Sequence, residues 1–250
     1  MPDPQVLDEN GVRWIVLNRP GDLNALKVDD ITAATEAVRA AAGTARCLVL
    51  TGAGRRAFSS GMHLDSLVDL DQERARALMS RLAAFVGAVR RAPIPTVAAI
   101  RGYCLGGAFE LALACDLRVV ATDAVFGLPE IKLGIPSVID AALLQQHVGL
   151  AKAKEMILTG DLYDVAALRS GGVFNQVTSP ESLEEEAGRL AARVGGHTRT
   201  VLAAQKDLFE CWQNMGLREA VERSVAVFAN VFVHGETRQR IAAYRARQRR

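Results

Sequence analysis

The stretch Thr96-Val97-Ala98-Ala99-Ile100-Arg101-Gly102-Tyr103-Cys104-Leu105-Gly106-Gly107-Ala108-Phe109-Glu110-Leu111-Ala112-Leu113-Ala114 decides how the chain is read. Its first five residues make a short strand of the kind buried on both faces. A glycine turn follows, and after Gly106-Gly107 a helix begins. Glycine lets the backbone approach a ligand closely and take unusual dihedrals. The helix N-terminus then offers unpaired N–H groups and a partial positive charge. Such a turn suits an anion, either a phosphate or a transient oxyanion. No Gly-Lys-Ser/Thr follows, so the phosphate-loop reading fails. A dinucleotide fingerprint fails as well, on glycine spacing and on the missing acidic residue further along. An oxyanion hole is the leading reading.

Ser59-Ser60-Gly61-Met62-His63-Leu64-Asp65 repeats the logic after the strand Cys47–Thr51. Gly61 frees the backbone just before a helical start, so each loop can supply one N–H to the same oxygen. Losing one such donor typically costs about 3–4 kcal/mol in the barrier. Two glutamates are locally awkward. Glu110 interrupts the apolar run after Gly107, and Glu130 follows Gly127-Leu128-Pro129. A carboxylate among apolar neighbours loses solvation, and its pKa rises toward the range useful for proton transfer. Singly, each has a plain alternative: Glu110 satisfied by backbone or an arginine, Glu130 capping a turn.

Outward from this centre, Gln5–Asp8 and Gly11–Leu17 flank Glu9-Asn10-Gly11, a strong hairpin signal. Val28–Ala42 has helical spacing and is ended by Gly43. Cys47–Thr51 reads as a buried strand, 52–61 as a glycine- and serine-rich loop, and Asp71–Arg91 as a long helix. Leu117–Ala121 and Val125-Phe126 are further strands. Short strands alternating with helices predict an α/β core. After about Gly149 the strand signal fades, and 151–158, 165–170, 181–194 and 201–247 read as helix with breaks. The predicted organisation is a core over 1–190 and a helical region over 191–250, with no low-complexity segment and no repeat of firm period.

Composition narrows the classes. The 250 residues are half hydrophobic, enough for a large core, and the net charge of +2 implies no strong nucleic-acid field. Arginines crowd the C-terminus (Arg238, Arg240, Arg245, Arg247, Arg249, Arg250), as a solvated helix end or as a phosphate or weak nucleic-acid contact. The four cysteines form no CxxC pair and read as buried free thiols. Cys104 lies close to the glycine pair, but no flanking histidine supports a catalytic thiol. Met1–Gln5 lacks the features of a signal peptide, and no apolar run approaches a membrane span. A soluble cytoplasmic protein is expected. His147, His197 and His234 form no metal spacing. His63 reads as a rim residue, Asp116 and Arg118 as a structural pair. Asn18, Arg19 and Asn24 read as organisers of an entrance loop, with direct contact to a nucleotide as the alternative.

Five segments in order and spacing resemble the crotonase superfamily, the enoyl-CoA hydratases and isomerases. They are Leu17-Asn18-Arg19-Pro20 with Asn24-Ala25-Leu26; Leu48–Gly54; Phe58–Leu64; Gly102–Ala112 with Cys115-Asp116-Leu117-Arg118; and Phe126–Glu130. The likeness is dense from about residue 11 to 178 and thinner beyond. It implies a spiral of ββα turns followed by a helical region used in trimerisation, as a homotrimer or dimer of trimers. It implies an acyl-CoA thioester whose carbonyl oxygen sits between the N–H groups of Met62 and Gly107. Ala25, Ser60, Gly61, Leu64 and Gly106 fall at substrate-binding positions. The resemblance makes Glu110 the base that activates water and Glu130 the acid that protonates Cα, with no metal or separate cofactor. Other enolate chemistry on an acyl-CoA, namely isomerisation, a specialised dehydration or decarboxylation, is the rival within enzymes. A non-catalytic RNA-binding homologue is the rival outside them.

The chain departs from the family after Glu130. Where a Pro-Gly-Ala-Gly-Gly-like run is usual, it has Pro136-Ser137-Val138-Ile139-Asp140-Ala141-Ala142, one residue closer to Glu130. The change bears on where water sits and which acyl group fits. Asp140 reads as a helix cap or as an extra polar group in the pocket.

Overall fold

The computed structural model describes residues 4–233 and 235–248. The first three residues, His234, Arg249 and Arg250 lie outside these. The strands are β1 (Gln5–Glu9), β2 (Val12–Leu17), β3 (Cys47–Gly52), β4 (Ala57–Ser59), β5 (Thr96–Ile100), β6 (Tyr103–Leu105), β7 (Leu117–Ala121), β8 (Val125–Gly127), β9 (Leu162–Asp164) and β10 (Gln176–Thr178). The helices of the core are α1 (Val28–Thr44), α2 (Gln72–Arg90), α3 (Gly107–Ala114), α4 (Leu144–Val148), α5 (Leu150–Thr159), α6 (Val165–Leu168) and α7 (Leu183–Gly195). Three more follow: α8 (Arg199–Asn214), α9 (Leu217–Asn230) and α10 (Gly235–Gln248).

The chain advances as a spiral. In the turns β3–β4, β5–β6 and β7–β8 the first strand joins a six-stranded sheet, ordered β1-β2-β3-β5-β7-β10, and the second a four-stranded sheet, ordered β4-β6-β8-β9. Neighbours from β2 through β10 in the first sheet are parallel, and so are β4, β6 and β8 in the second. This is the α/β spiral of ββα turns that the resemblance implies. The repeat is structural: its strands recur in space while their sequences share no period.

Burial explains why β3 and β5 read as apolar without alternation. Side chains alternate across a strand, so Leu48, Leu50, Ala98 and Ile100 enter the main core with α1, α2 and α3. Cys47, Val49, Val97 and Ala99 pack on the opposite face against Leu183, Ala187, Leu190 and Ala191 of α7. The predicted hairpin forms, with Asn10 and Gly11 at φ 51° and 79° closing an antiparallel β1–β2 pair. Gly43 does not end α1, which runs on to Thr44.

The expectation that strands fade after Gly149 is corrected by β9 and β10, and β4 and β6 lie where loop or turn was read. All four are three residues long, too short to carry a period of two, and are held as strands by neighbours already in place. Asp116 and Arg118 are structural but do not pair with each other. The Asp116 carboxylate accepts from the Thr96 N–H at 2.7 Å and from Lys206 Nζ of α8 at 2.5 Å. Arg118 is buried and donates to the carbonyls of Ala112, Cys115 and Val173, closing the C-terminal end of α3.

Candidate active site

Two chain crossings meet at the N-terminus of α3. After β4, the segment 60–63 runs beside Leu26: Leu26 N–H donates to Gly61 O, and His63 N–H donates to Leu26 O. These two bonds flank Met62, whose own N–H takes no part in the bridge. Gly61, at φ 88°, lies so close to the second loop that a Cβ on it would stand 2.7 Å from Leu105 O and 3.3 Å from Gly107 N. Gly107 is the first residue of α3, so its N–H is one of the donors a helix leaves unpaired. Met62 and Gly107 line one cleft of about 650 Å³.

Both glutamates open on that cleft. Glu110 sits one turn into α3, 2% exposed, with its Oε2 accepting from Asp140 N–H at 3.2 Å. Loss of solvation and the nearby Glu130 charge push its pKa up to about 8, while the backbone of Val138 and Asp140 pulls it back. Glu130 sits in a 3-10 turn over Pro129–Leu133, and its Oε2 accepts from Ser137 Oγ at 2.8 Å. Its other oxygen explains Gly106. A Cβ there would lie 2.6 Å from Glu130 Oε1, and Gly106 takes φ 56°, ψ −132°, a conformation open to glycine.

The structure brings together Ala25, Ser60, Met62, Leu64, Gly106, Gly107, Glu110 and Glu130 on the cleft wall. Gly61 stands behind that wall and contributes by letting the loops touch. His63 is at the rim, where its Nδ1 accepts from Asp65 N–H. Asn24 is buried at φ 55°; its Nδ2 donates to the carbonyls of Ala53 and Ala57, and its Oδ1 accepts from Arg19 N–H. Arg19 in turn forks onto Asp30. These residues organise the loop and do not line the cleft. Cys104 is fully buried, its thiol pushed well above the usual range by desolvation, and it is no nucleophile at neutral pH.

Sequence reasoning passed over several contributors. Met79 and Leu82 of α2, with Leu133 and Ile135, join Val138 of the altered turn in the apolar part of the wall. The Ser137 hydroxyl on Glu130 carries no sequence signal, because it depends on how the turn folds back. Asp140 matches neither reading offered for it. It makes no cap hydrogen bond and does not line the cleft. It is buried and accepts from Arg90 Nη1 at 2.9 Å, while its Oδ2 has no partner. Arg90 Nε stands 3.3 Å from Glu210 Oε2 of α8, an ion pair without hydrogen-bond alignment. Ile139, between Val138 and Asp140, takes φ 51°. For a β-branched residue that conformation costs on the order of 1–3 kcal/mol.

Among the described residues, no group of three or more His, Cys, Asp or Glu is placed to hold a metal. His147 is kept neutral by burial and the Arg118 charge, its pKa lowered to about 4. No described helix is long and apolar enough to cross a membrane. In α10, Arg238 donates to Phe232 O and Arg240 pairs with Glu236, so part of the basic tail is engaged internally.

Known proteins resemble the chain in sequence and in fold. The Enoyl-CoA hydratase/isomerase family matches residues 8–249. A crotonyl-CoA hydratase of Syntrophomonas wolfei is 30% identical over 230 residues, 90% of this chain and 86% of that one. A probable enoyl-CoA hydratase of Rhizobium meliloti is 32% identical over 248 residues, 95% of this chain and 93% of that one. Among solved structures, an enoyl-CoA hydratase subunit I from Geobacillus kaustophilus superposes with TM-score 0.92 at 31% identity, covering 98% of this chain and 95% of that one. Pseudomonas aeruginosa DspI superposes with TM-score 0.94 at 26% identity, covering 99% and 95%. The chain belongs to the enoyl-CoA hydratase/isomerase family of the crotonase superfamily.

Proposed function

We propose that the protein is an enoyl-CoA hydratase, adding water reversibly to a 2-trans-enoyl-CoA to give the 3-hydroxyacyl-CoA. The observation that carries the reading is the convergence of Glu110 and Glu130 with the Met62 and Gly107 N–H groups on one cleft. In hydration, Glu110 as carboxylate takes a proton from water while the water oxygen attacks Cβ. The π electrons move through Cα to the thioester oxygen, which the two N–H groups stabilise as an enolate. Glu130 then gives its proton to Cα, and the carbonyl re-forms. Ala25, Ser60, Gly61, Leu64 and Gly106 shape the cleft around the thioester, and coenzyme A enters as part of the substrate with no further cofactor.

The mechanism needs one proton on the pair of carboxyls, held by Glu130 before hydration and by Glu110 before dehydration. With the Glu110 pKa at about 8 in the empty cleft, that proton rests on Glu110 at neutral pH. This is the state that dehydration starts from, because protonated Glu110 is the acid that a leaving hydroxyl needs. Hydration starts from the other proton arrangement.

The apolar face of α8 and α9 supports a homotrimer or dimer of trimers: Trp212, Leu217, Val221, Val225 and Phe228 are all exposed on the single chain. On this reading 191–250 is the assembly region, 1–190 the catalytic core, and the cytoplasm the place of work. The test is turnover. Purified protein mixed with short and medium enoyl-CoAs should remove the absorbance of the conjugated thioester. No loss of absorbance on any chain length would contradict the reading, and a monomer by light scattering would contradict the assembly.

A further inference from the structure

The turn that touches Glu110 does not hold itself. Ile139 is left-handed at φ 51°, a conformation a β-branched side chain resists. Yet the next residue, Asp140, must present its N–H to Glu110 Oε2 at 3.2 Å. The side chain of that same Asp140 points away from the cleft and is buried against Arg90, the last residue of α2. Arg90 also faces Glu210 of α8, so one guanidinium ties together α2, the turn and α8. Burying an ion pair brings little net stability, and its best-attested use is to fix one arrangement among alternatives.

We propose that Arg90 and Asp140 are positioning residues for Glu110: their partly buried ion pair holds the left-handed turn in place, so that the Asp140 N–H stays on the Glu110 carboxylate. The inference rests on Glu110 being the catalytic carboxyl. Glu110 faces two other charged groups, Glu130 from the Pro129–Leu133 turn and Asp140 itself. Asp140 faces Arg90 and Arg91 at the end of α2 and Glu210 from α8. Releasing the turn removes a hydrogen-bond donor that favours ionised Glu110, so the Glu110 titration should move up. Removing only the negative charge of Asp140, with the turn intact, should move it down.

The test combines kinetics with a direct titration in the full chain. Glutamate carboxyls are labelled with ¹³C, and Glu110 is assigned from the signal missing in Glu110→Gln. In Arg90→Met, kcat should fall about tenfold or more, with KM for an enoyl-CoA within about threefold, as expected for a misplaced group acting in the transition state. The Glu110 midpoint should rise. Glycine adopts left-handed φ without cost. Adding Ile139→Gly to Arg90→Met should therefore bring the midpoint back and recover most of kcat, without restoring any charge. Should Arg90→Met fail to fold, Arg90→Gln is read the same way. Wild-type kcat and midpoint in these variants, or no recovery on adding Ile139→Gly, would overturn the proposal. Full activity in Glu110→Gln would instead remove the catalytic reading, and the NMR midpoint would still report whether the ion pair holds the turn.

Discussion

Two turns meet the paired carboxyls of the cleft, and they are shaped by different means. At Gly106-Gly107 the unusual backbone is supplied by composition. Gly106 adopts φ 56° and leaves room for Glu130 Oε1, which a Cβ would meet at 2.6 Å. At Pro136–Asp140 a left-handed residue is again required, but Ile139 occupies it, and the arrangement is held from outside by Arg90. The first turn is local and can be read from its letters. The second depends on a residue 50 positions away along the chain, Arg90 on Asp140. Conformational freedom and tertiary anchoring are thus alternative ways to aim a backbone N–H.

The largest effects should come from the groups both turns serve. Glu110→Gln and Glu130→Gln should each lower kcat by about 10²–10⁴-fold, the usual worth of general acid–base catalysis. Binding of the CoA ester, measured by calorimetry, should change little. Gly106→Ala should lose about 10²-fold in turnover, because the new methyl displaces Glu130 and the dihedral is strained. An active Gly106→Ala would break the contrast between the turns, since the first would then not depend on glycine.

Proton affinity sharpens the comparison further. Both directions need the one proton shared by the pair, so hydration and dehydration at saturating substrate should each fall as pH rises through the about 8 of the empty cleft. Stability should follow the same group. A carboxyl whose folded pKa is raised binds more protons folded than unfolded between about 4.5 and 8. Its contribution is fully present below the unfolded pKa and is lost as pH rises through the folded one. Glu110→Gln should therefore raise the melting temperature, by more at pH 9 than at pH 5. An equal rise at both would mean that Glu110 stays ionised throughout. The smallest effect is expected at Ser137→Ala, which removes one hydrogen bond from Glu130 and should cost turnover less than about tenfold.

What the sequence disclosed follows this division. Strands β3 and β5 and the long helix α2 were legible because five or more residues carry one pattern of apolar spacing, and the hairpin because Asn10-Gly11 marks its turn. The three-residue strands β4, β6, β9 and β10 were not, since their pairing exists only once the spiral has formed. Glu110 stood out as a carboxylate in an apolar run, and Gly106 as a glycine before a helix. Asp140 stood out as well, but its partner did not: nothing near Arg90 in the chain marks it as facing the turn. Likewise Ser137 reads as an ordinary turn serine until the chain folds it onto Glu130.

The central claim is that the cleft adds water across the conjugated double bond, and isotopic oxygen tests it most directly. An enoyl-CoA incubated with the enzyme in ¹⁸O-labelled water should yield a product heavier by one labelled water, with the label on Cβ and a new solvent proton on Cα. A product of unchanged mass, with the double bond moved, would show an isomerase and contradict the account.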